Sequence, residues 1–283
     1  MDRRQQRRTG KTAVTVGLVV GLGACATGCG GATAEGASGA PENPVTFLTR
    51  AADTLRGTGT SKATTSMEMA TGGTRVTIRG KGVYDYDKQL GRLTVVLPQD
   101  PAGASEHRPI TELLAPGALF MKNRGAGVPA DKWVRVETAS LSDGNLVTGG
   151  ATDPFAAAEL LRGTRTATYL GKTELAGTEV RHYRGTADLA TAARAASAGN
   201  RASLAAAAKG FATAEVPFDA YLDDQGRIRK LRERFSFVND SSKDTVAVAS
   251  TTLLYDFGTP VDVKLPRPQD IYAGRIAENQ PAH

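Results

Sequence analysis

The sequence is nearly free of cysteine: Cys25 and Cys29 are the only two in 283 residues, and both lie near the N-terminus. The chain after them therefore has no thiol that could form a disulfide or attack a substrate. Histidine is also scarce, and His107, His182 and His283 are far apart in sequence. Because protein metal sites draw on clustered ligands, the sequence predicts no metal and no cofactor, and His182 is interpreted as a rim or surface residue.

Motifs of common catalytic sites are missing as well. No Gly-x-Ser-x-Gly sequence is present, so the nucleophile of an α/β-hydrolase is not indicated. Gly72-Gly73 and Gly149-Gly150 lack the spacing and the lysine of a phosphate-binding loop. Asp223-Asp224-Gln225-Gly226 is typical of a hairpin turn rather than of a calcium site. We therefore predict that the chain is not an enzyme, unless distant Asp, Glu, His and Ser residues converge in one cleft.

The first 24 residues combine positive charge with an apolar run. The apolar run covers residues 12–24, and the charges before it are Arg3, Arg4, Arg7, Arg8 and Lys11. A run of this length is shorter than the roughly 20 residues that span a bilayer, and the order is typical of a secretory signal peptide. Export by the general secretory route and export by a twin-arginine route, through Arg7-Arg8, are both open at this stage.

Leu22-Gly23-Ala24-Cys25 resembles the bacterial lipobox, in which a branched apolar residue and two small residues precede the cysteine that is lipidated. The resemblance implies cleavage after Ala24, lipidation of Cys25 and anchoring at the extracytoplasmic face of the cell membrane. Ala26-Thr27-Gly28-Cys29 is the alternative and gives the same topology. Residues 25–43 are small, polar and rich in Gly and Ala, so we predict a flexible tether between the anchor and a single domain over residues 44–283.

Removal of the signal peptide changes the charge balance. The whole chain has a formal net charge of +6, but residues 25–283 carry 30 basic and 28 acidic residues. Nucleic-acid binding needs a dense basic surface, so the sequence predicts no nucleic-acid partner. In Arg227–Arg234, basic residues alternate with Ile228 and Leu231. This pattern indicates the solvated face of a strand, with binding of lipid headgroups as the alternative.

Periodicity predicts the order of helices and strands. A helix is predicted from Pro44, capped by Asn43 and ended by Gly57 and Gly59, and a second from Pro154 to Gly163. An alanine-rich helical region is predicted over residues 189–211, with a break at Gly199-Asn200. Alternating apolar and polar residues predict strands at 61–70, 74–86, 89–97, 113–122, 132–136, 166–175, 178–186, 216–222, 227–238 and 245–255. The total is nine to eleven strands and two to four helices in α+β order.

Two segments carry a resemblance to a known family. They are the hairpin Val216-Pro217-Phe218-Asp219-Ala220-Tyr221-Leu222-Asp223-Asp224-Gln225-Gly226 and the terminal run Tyr255-Asp256-Phe257-Gly258-Thr259-Pro260-Val261-Asp262-Val263. Pro44 to Tyr272 resembles the LolA-like lipoprotein carriers, and among them the mycobacterial LppX and LprG type. The resemblance implies a strongly curved antiparallel half-barrel with helices across its concave face. Neither segment is a catalytic motif or names a ligand.

A half-barrel of this kind either fills its concave face with side chains or leaves a cavity there, and an alanine-rich cover fills less volume than Leu or Phe. The residues that we expect to line the cavity are Phe47, Leu48, Leu55, Met67, Met69, Val76, Ile78, Leu93, Val95, Phe120, Phe155, Leu160 and Leu161. The leading hypothesis is a membrane-anchored protein that binds a lipid or another amphiphile there. The alternative is an envelope interaction or sensing module with a filled core and a protein partner.

Overall fold

The computed structural model describes residues 43–71, 73–98, 108–125, 127–238 and 245–274. All of them lie within Pro41–His283, which forms a compact unit by itself. The predicted signal peptide, both cysteines and the predicted tether up to Glu42 lie outside the described residues. The unit from Pro41 onward contains the whole of the core described below, so we expect it to fold without the residues before it.

Eleven antiparallel strands form one open sheet in the described part of the chain. Their order is β6-β5-β4-β3-β2-β1-β11-β10-β9-β8-β7, so β6 and β7 are the two edges. The strands are β1 (Thr60–Thr71), β2 (Thr74–Asp85), β3 (Leu90–Val96), β4 (Ile110–Ala115), β5 (Ala118–Lys122), β6 (Val134–Glu137), β7 (Thr164–Leu175), β8 (Thr178–Asp188), β9 (Glu215–Leu222), β10 (Ile228–Val238) and β11 (Thr245–Tyr255). This confirms the predicted α+β half-barrel fold.

Most neighbours in the sheet are also consecutive in sequence. Tight turns join some of these pairs into hairpins, whereas two helices lie between β8 and β9. Ala176 and Gly177, both at positive φ, connect β7 to β8, and Gly226 at φ 76° completes the turn between β9 and β10. The exception is the pairing of β1 with β11, in which Lys62 lies opposite Tyr255 and Met69 opposite Val248. This contact joins the first six strands to the last five.

Within the described ranges, five α-helices lie on one side of the sheet: α1 (Pro44–Thr49), α2 (Ala51–Arg56), α3 (Pro154–Leu160), α4 (Leu189–Ala195) and α5 (Ala198–Gly210). The prediction of two to four helices is too low because the first helix is interrupted at Arg50. The predicted caps are confirmed, since the side chains of Asn43 and Asp153 accept backbone N–H bonds at the starts of α1 and α3. The break predicted at Gly199-Asn200 is wrong, because extended backbone at Ala196 and Ser197 separates α4 from α5.

The two faces of the sheet follow from the alternation of side chains along each strand. On β1, Ala63, Thr65 and Met67 are buried beneath the helices, whereas Lys62 and Glu68 point to the opposite side. We call these the inner and the outer face. The principal core lies between the inner face and the helices and includes Leu48, Leu93, Phe155 and Phe218, all completely buried.

Candidate functional site

The inner face of the middle strands is covered by helices and by one long irregular stretch, residues 141–153, which we call the covering segment. It connects the short helical turn after β6 to α3. Connecting segments normally lie on the surface because their backbone groups need water. Here Leu146, Ala151 and Thr152 are at most 1% exposed. The covering segment therefore occupies the place where the sequence hypothesis expects an acyl cavity.

Glycine and alanine allow the covering segment to lie directly on the sheet. A Cβ added at Gly150 would lie 3.4 Å from Cγ2 of Ile78 and 3.5 Å from Cγ1 of Val95. A Cβ added at Gly149 would lie 3.5 Å from Cδ2 of Leu119 on β5, and 2.8 Å from Oδ1 of Asn145 within the segment itself, which is closer than real Cβ atoms approach. The backbone itself thus fills the volume above Ile78 and Val95 that larger helix side chains would otherwise take.

In the described ranges, side chains at the end of the covering segment join it to the sheet, and the Tyr84 hydroxyl on β2 donates to the Asp153 carboxylate at 3.4 Å. The Thr152 hydroxyl donates to the Leu146 carbonyl at 3.0 Å and shares a 2.6 Å hydrogen bond with the Ser250 hydroxyl on β11. The Asp143 carboxylate accepts backbone N–H bonds from Asn145 and Val147 at 3.0 and 2.8 Å. The hydrogen bonds of Asp143 lie within the segment, so they preserve its shape without attaching it to the sheet.

Buried polar atoms without a hydrogen-bond partner lie on the inner face under this cover. They include both carboxylate oxygens of Glu112, one carboxylate oxygen of Glu233 and the hydroxyls of Thr65 and Thr252. Glu233 is opposite Ser250, and Thr252 is opposite Thr65, so these four residues occupy two adjoining rows of β10, β11 and β1. We call them the inner polar patch. Native proteins pair nearly all buried polar atoms, so an unpaired set of this kind calls for an explanation.

The two buried glutamates of the inner face are held in the neutral form at neutral pH. Burial raises the pKa of Glu233 to about 8, and burial raises the pKa of Glu112 on β4 to about 8, against a small opposing effect of Arg124. A protonated carboxyl group is a hydrogen-bond donor as well as an acceptor. The inner face can therefore offer donors and acceptors to a polar group without carrying a net charge.

The helices of the cover are joined to one another through Glu159 on α3, which is completely buried. Its carboxylate accepts hydrogen bonds from the Ser197 backbone and hydroxyl and from the Asn200 amide, each at 2.8 Å. Arg162 donates to the same carboxylate at 3.3 Å. These bonds hold α3 against the α4–α5 connection. The helical part of the cover is thus fixed more firmly than the covering segment.

The structure brings most of the predicted lining residues together. Those in the principal core are Leu48, Leu55, Met67, Ile78, Leu93, Val95, Phe155, Leu160 and Leu161. Phe47, Met69 and Val76 are partly buried and pack against the same core. Seven of these residues have no accessible surface: Leu48, Leu55, Leu93, Val95, Phe155, Leu160 and Leu161. A void large enough for a water molecule would leave part of their surface accessible, so no void of that size adjoins them. Around these residues the concave face is filled.

Phe120 is separated from the other predicted lining residues. On β5, Leu119 and Met121 point into the principal core, so Phe120 between them points to the outer face. There it forms a small cluster with Leu113 and Ala118, and the Arg135 guanidinium lies 5.8 Å from its ring centroid. The expectation that Phe120 lines the inner cavity is therefore wrong, because side chains alternate along β5.

Sequence reasoning also missed the inner polar patch. Glu233 lies between Arg232 and Arg234 and was interpreted as part of a solvated face. The signal that could have found it is the spacing of Glu233, which lies two residues from Leu231 and two residues from Phe235. Because side chains alternate with a period of two, Glu233 has to point where Leu231 and Phe235 point.

No group of three or more His, Cys, Asp or Glu side chains in the described ranges could hold a metal ion. His182, on the outer face, stacks on Tyr221 with ring centroids 4.1 Å apart. Its Nε2 lies 2.9 Å from the Asp219 carboxylate, which also accepts hydrogen bonds from Arg184 and Arg234. Asp219 is thus shared among three basic side chains. None of the described helices is long and apolar enough to cross a membrane.

Comparison with known proteins gives no family model and no curated relative that matches the chain. Solved structures that resemble it include LppX of Mycobacterium tuberculosis, at 8% identity and a TM-score of 0.42 over 78% of this chain and 97% of that one. LprF of Mycobacterium bovis gives 13% identity and a TM-score of 0.40 over 79% and 96%. A LolA superfamily protein from Nitrosomonas europaea gives 10% and 0.33 over 76% and 94%. These include the lipoprotein type that the two sequence segments resemble.

Proposed function

We propose that this chain is a lipid-anchored extracytoplasmic protein that takes up an amphiphile on the inner face of its half-barrel, beneath the covering segment. The observation that carries the proposal is the inner polar patch: unpaired hydroxyl and carboxyl groups within an apolar face, covered by an irregular glycine-containing segment. Displacement of that segment would uncover Met67, Ile78 and Val95 beside polar groups able to bind a headgroup or an ester. Hydrophobic sequestration would then carry the acyl chain without exposure to water.

Energetics favour exchange of the covering segment for an acyl chain. Displacement breaks the Thr152–Ser250 hydrogen bond, which has a net value of about 1 kcal/mol. It also exposes small side chains such as Ala151, together with Leu146 and Val147, which belong to the principal core and whose burial contributes about 1.5–3 kcal/mol each. An acyl chain recovers about 0.8 kcal/mol for each buried methylene group. A chain of about 14 methylene groups recovers roughly 11 kcal/mol, which exceeds this loss.

The anchor supports the same function. Lipidation of Cys25, or of Cys29, would keep the domain at the membrane that supplies the amphiphile, with residues 30–43 as the tether. The local concentration of the domain at that surface would then be far higher than in free solution.

A disulfide between the covering segment and the sheet tests the proposal. The unit Pro41–His283 has no native cysteine, so the double variant Thr152→Cys/Ser250→Cys forms a single bridge where two hydroxyls now lie 2.6 Å apart. Native mass spectrometry with lipid extraction should show lipid bound to the reduced form and none taken up by the oxidised form. The matched control is Thr166→Cys/Thr186→Cys, whose hydroxyls are 2.9 Å apart on β7 and β8, away from the covering segment.

Equal lipid uptake by the oxidised and reduced forms of Thr152→Cys/Ser250→Cys would overturn this route. The second candidate function is an envelope interaction module with a closed core, and it is favoured by the complete burial of Leu93, Val95 and Phe155. A well-folded unit that carries no lipid from its host, and that takes up none from added vesicles, would establish this second candidate over the carrier.

A further inference from the structure

The outer face of the sheet carries a different pattern from the inner one, and it is independent of the proposed inner site. One row of residues that lie opposite each other in register runs across seven strands, and its members are Lys230, Leu253, Thr64, Lys81, Thr94, Thr111 and Lys122. Neighbouring strands are about 4.8 Å apart, so the row is about 29 Å long. It places three ammonium groups and three hydroxyls along one line of the surface.

The adjoining rows add guanidinium groups. On one side of this row, Arg79 lies opposite Ser66, Ser66 lies opposite Thr251, and Thr251 lies opposite Arg232. On the other side of the row, Arg92 lies opposite Leu113. We call the outer residues Arg75, Arg79, Lys81, Arg92, Lys122, Lys230, Arg232 and Arg234 the basic face. Arginine, lysine and threonine are side chains that bind phosphate oxygens readily.

Carboxylates neutralise only part of the basic face. In the part of the chain that the structure describes, Arg75, Arg79, Lys81 and Arg92 make no ion pair. On β2 to β5, Glu112 points to the inner face and Asp85 pairs with Lys88 at 2.9 Å. On the other half of the face, Asp219 binds Arg234, and Glu68 lies 3.9 Å from Arg232. The positive charge is therefore concentrated on β2 and β3.

Two open grooves lie on this face, and both have cationic walls. The first has a volume of about 460 Å³ and lies between Arg92, Lys122, Lys264 and Trp133, with the Lys122 ammonium 5.6 Å from the Trp133 ring centroid. Asp262 also lines it and pairs with Lys264 at 3.3 Å, so among the described residues Arg92 and Lys122 supply its unpaired positive charge. The second, of about 240 Å³, has an alanine floor and is walled by Arg75, Arg232, Arg234 and Glu68. Each is large enough to admit a phosphate group with part of its ester.

Apolar side chains flank the cations. Val96, opposite Arg79 at the end of β3, is 51% exposed, and Leu265, next to Lys264, is 42% exposed. Tryptophan, lysine and arginine are enriched where proteins meet the headgroup region, and apolar side chains beside them insert at the acyl boundary. A single-stranded nucleic acid would instead call for a series of aromatic side chains to stack its bases.

We propose that the basic face docks against an anionic lipid bilayer, with Arg79, Lys81 and Arg92 at the centre of the contact and Val96, Leu265 and Trp133 at its apolar margin. Each lysine or arginine near such a surface strengthens binding about fivefold. Docking would fix which side of the half-barrel faces the membrane, a choice that a flexible tether leaves free.

Co-sedimentation of the unit Pro41–His283 with lipid vesicles tests the proposal without the anchor. We expect binding to vesicles of phosphatidylcholine that contain phosphatidylglycerol, little binding to phosphatidylcholine alone, and loss of binding at high salt. The exposed triple variant Arg79→Gln/Lys81→Gln/Arg92→Gln should bind about 100-fold more weakly. The matched control Arg194→Gln/Arg201→Gln/Lys209→Gln removes the same charge from the helix side and should bind like the wild type.

Three results would overturn the proposal. One is equal binding to neutral and anionic vesicles. Another is an equal loss of affinity in the two triple variants, which would show a response to net charge alone. The third is binding to a soluble anionic polysaccharide such as dextran sulfate, lost in the first variant, with no binding to anionic vesicles. A thermal melt of each variant confirms that it is folded before the vesicles are added.

Discussion

The inner and outer faces of strands β1, β2, β10 and β11 are built from alternate residues of the same segments, and they differ in almost every physical property. On the inner face Met67, Ile78 and Glu233 are excluded from water, and the carboxyl group among them is neutral. On the outer face Arg79 and Arg232 lie in one row with the hydroxyls of Ser66 and Thr251. Adjacent residues of one strand therefore lie in two environments, one in which a charged group is destabilised and one in which positive charges are clustered.

The largest effect should come from a charge placed on the wrong face. Met67→Glu puts a carboxylate on the inner face beside Ser250 and Ile78, and we expect it to destabilise the unit by about 4 kcal/mol. Ser66→Glu, one residue away, places the same group on the outer face opposite Arg79 and should change stability by less than about 0.5 kcal/mol. Urea unfolding of both variants measures the difference, and similar losses would contradict the assignment of the faces.

The next effect concerns pH. Burial raises the pKa of Glu233 to about 8 from an ordinary value of 4.5, so between these values the folded chain binds a proton that the unfolded chain has released. Stability should therefore fall as pH rises from about 5 to 8, by up to about 1.4 kcal/mol per pH unit for this group. Glu112, with a pKa raised to about 8, acts in the same direction.

Glu233→Gln removes this proton requirement. We expect the variant to be more stable than the wild type by up to about 4 kcal/mol at pH 8, with a shallower decline between pH 5 and 8. Glu68→Gln on the outer face is the control, and it should leave the slope unchanged. Thermal unfolding over a pH series is the measurement. A wild-type slope that persists in Glu233→Gln would show that Glu233 is ionised in the folded chain.

A bulky residue near the proposed site should have a smaller effect on stability. It should have a measurable effect on the amount of bound lipid. Met69 is partly buried on the inner face, in the row after Met67. Met69→Trp should reduce the amount of lipid that co-purifies with the unit while it costs about 1 kcal/mol of stability or less. Glu68→Trp, on the outer face, should retain the lipid. Unchanged lipid in Met69→Trp would argue against uptake at this part of the inner face.

The smallest effect on folding is expected on the outer face. The vesicle-binding variant Arg79→Gln/Lys81→Gln/Arg92→Gln should keep its unfolding free energy within about 0.5 kcal/mol of the wild type, because all three side chains are exposed. The same measurement on Leu93→Ala, the inner neighbour of Arg92, should show a loss of about 3 kcal/mol. Equal losses would mean that the outer cations contribute to the fold itself.

Much of the fold could be predicted because its signals are local. Strands β7 to β10 were found almost to the residue, since alternating segments are joined by turns such as Ala176-Gly177 and Asp223-Asp224-Gln225-Gly226. The caps Asn43 and Asp153 marked the starts of α1 and α3 in the same way. Each of these signals acts between residues that are close in sequence, and so it can be interpreted without knowledge of the remaining chain.

The candidate site was harder to predict because its parts are distant in sequence. Twelve of the thirteen lining residues expected from the sequence belong to the principal core or pack against it, and Phe120 does not. The contact of Thr152 with Ser250 joins residues 98 positions apart, and no local pattern indicates it. Residues 141–153 have neither the period of a helix nor that of a strand, so their burial could not be foreseen.

The sequence by itself determined the alternation of inner and outer side chains, the hairpins and the absence of cysteine from the folded unit, because these depend on residue identity and short spacings. The tertiary structure alone decided that β1 pairs with β11, that the covering segment fills the concave face, and that Glu233 is buried without a full set of partners. These features depend on which distant surfaces meet when the sheet curves. Their energies arise only from close packing of the completed chain.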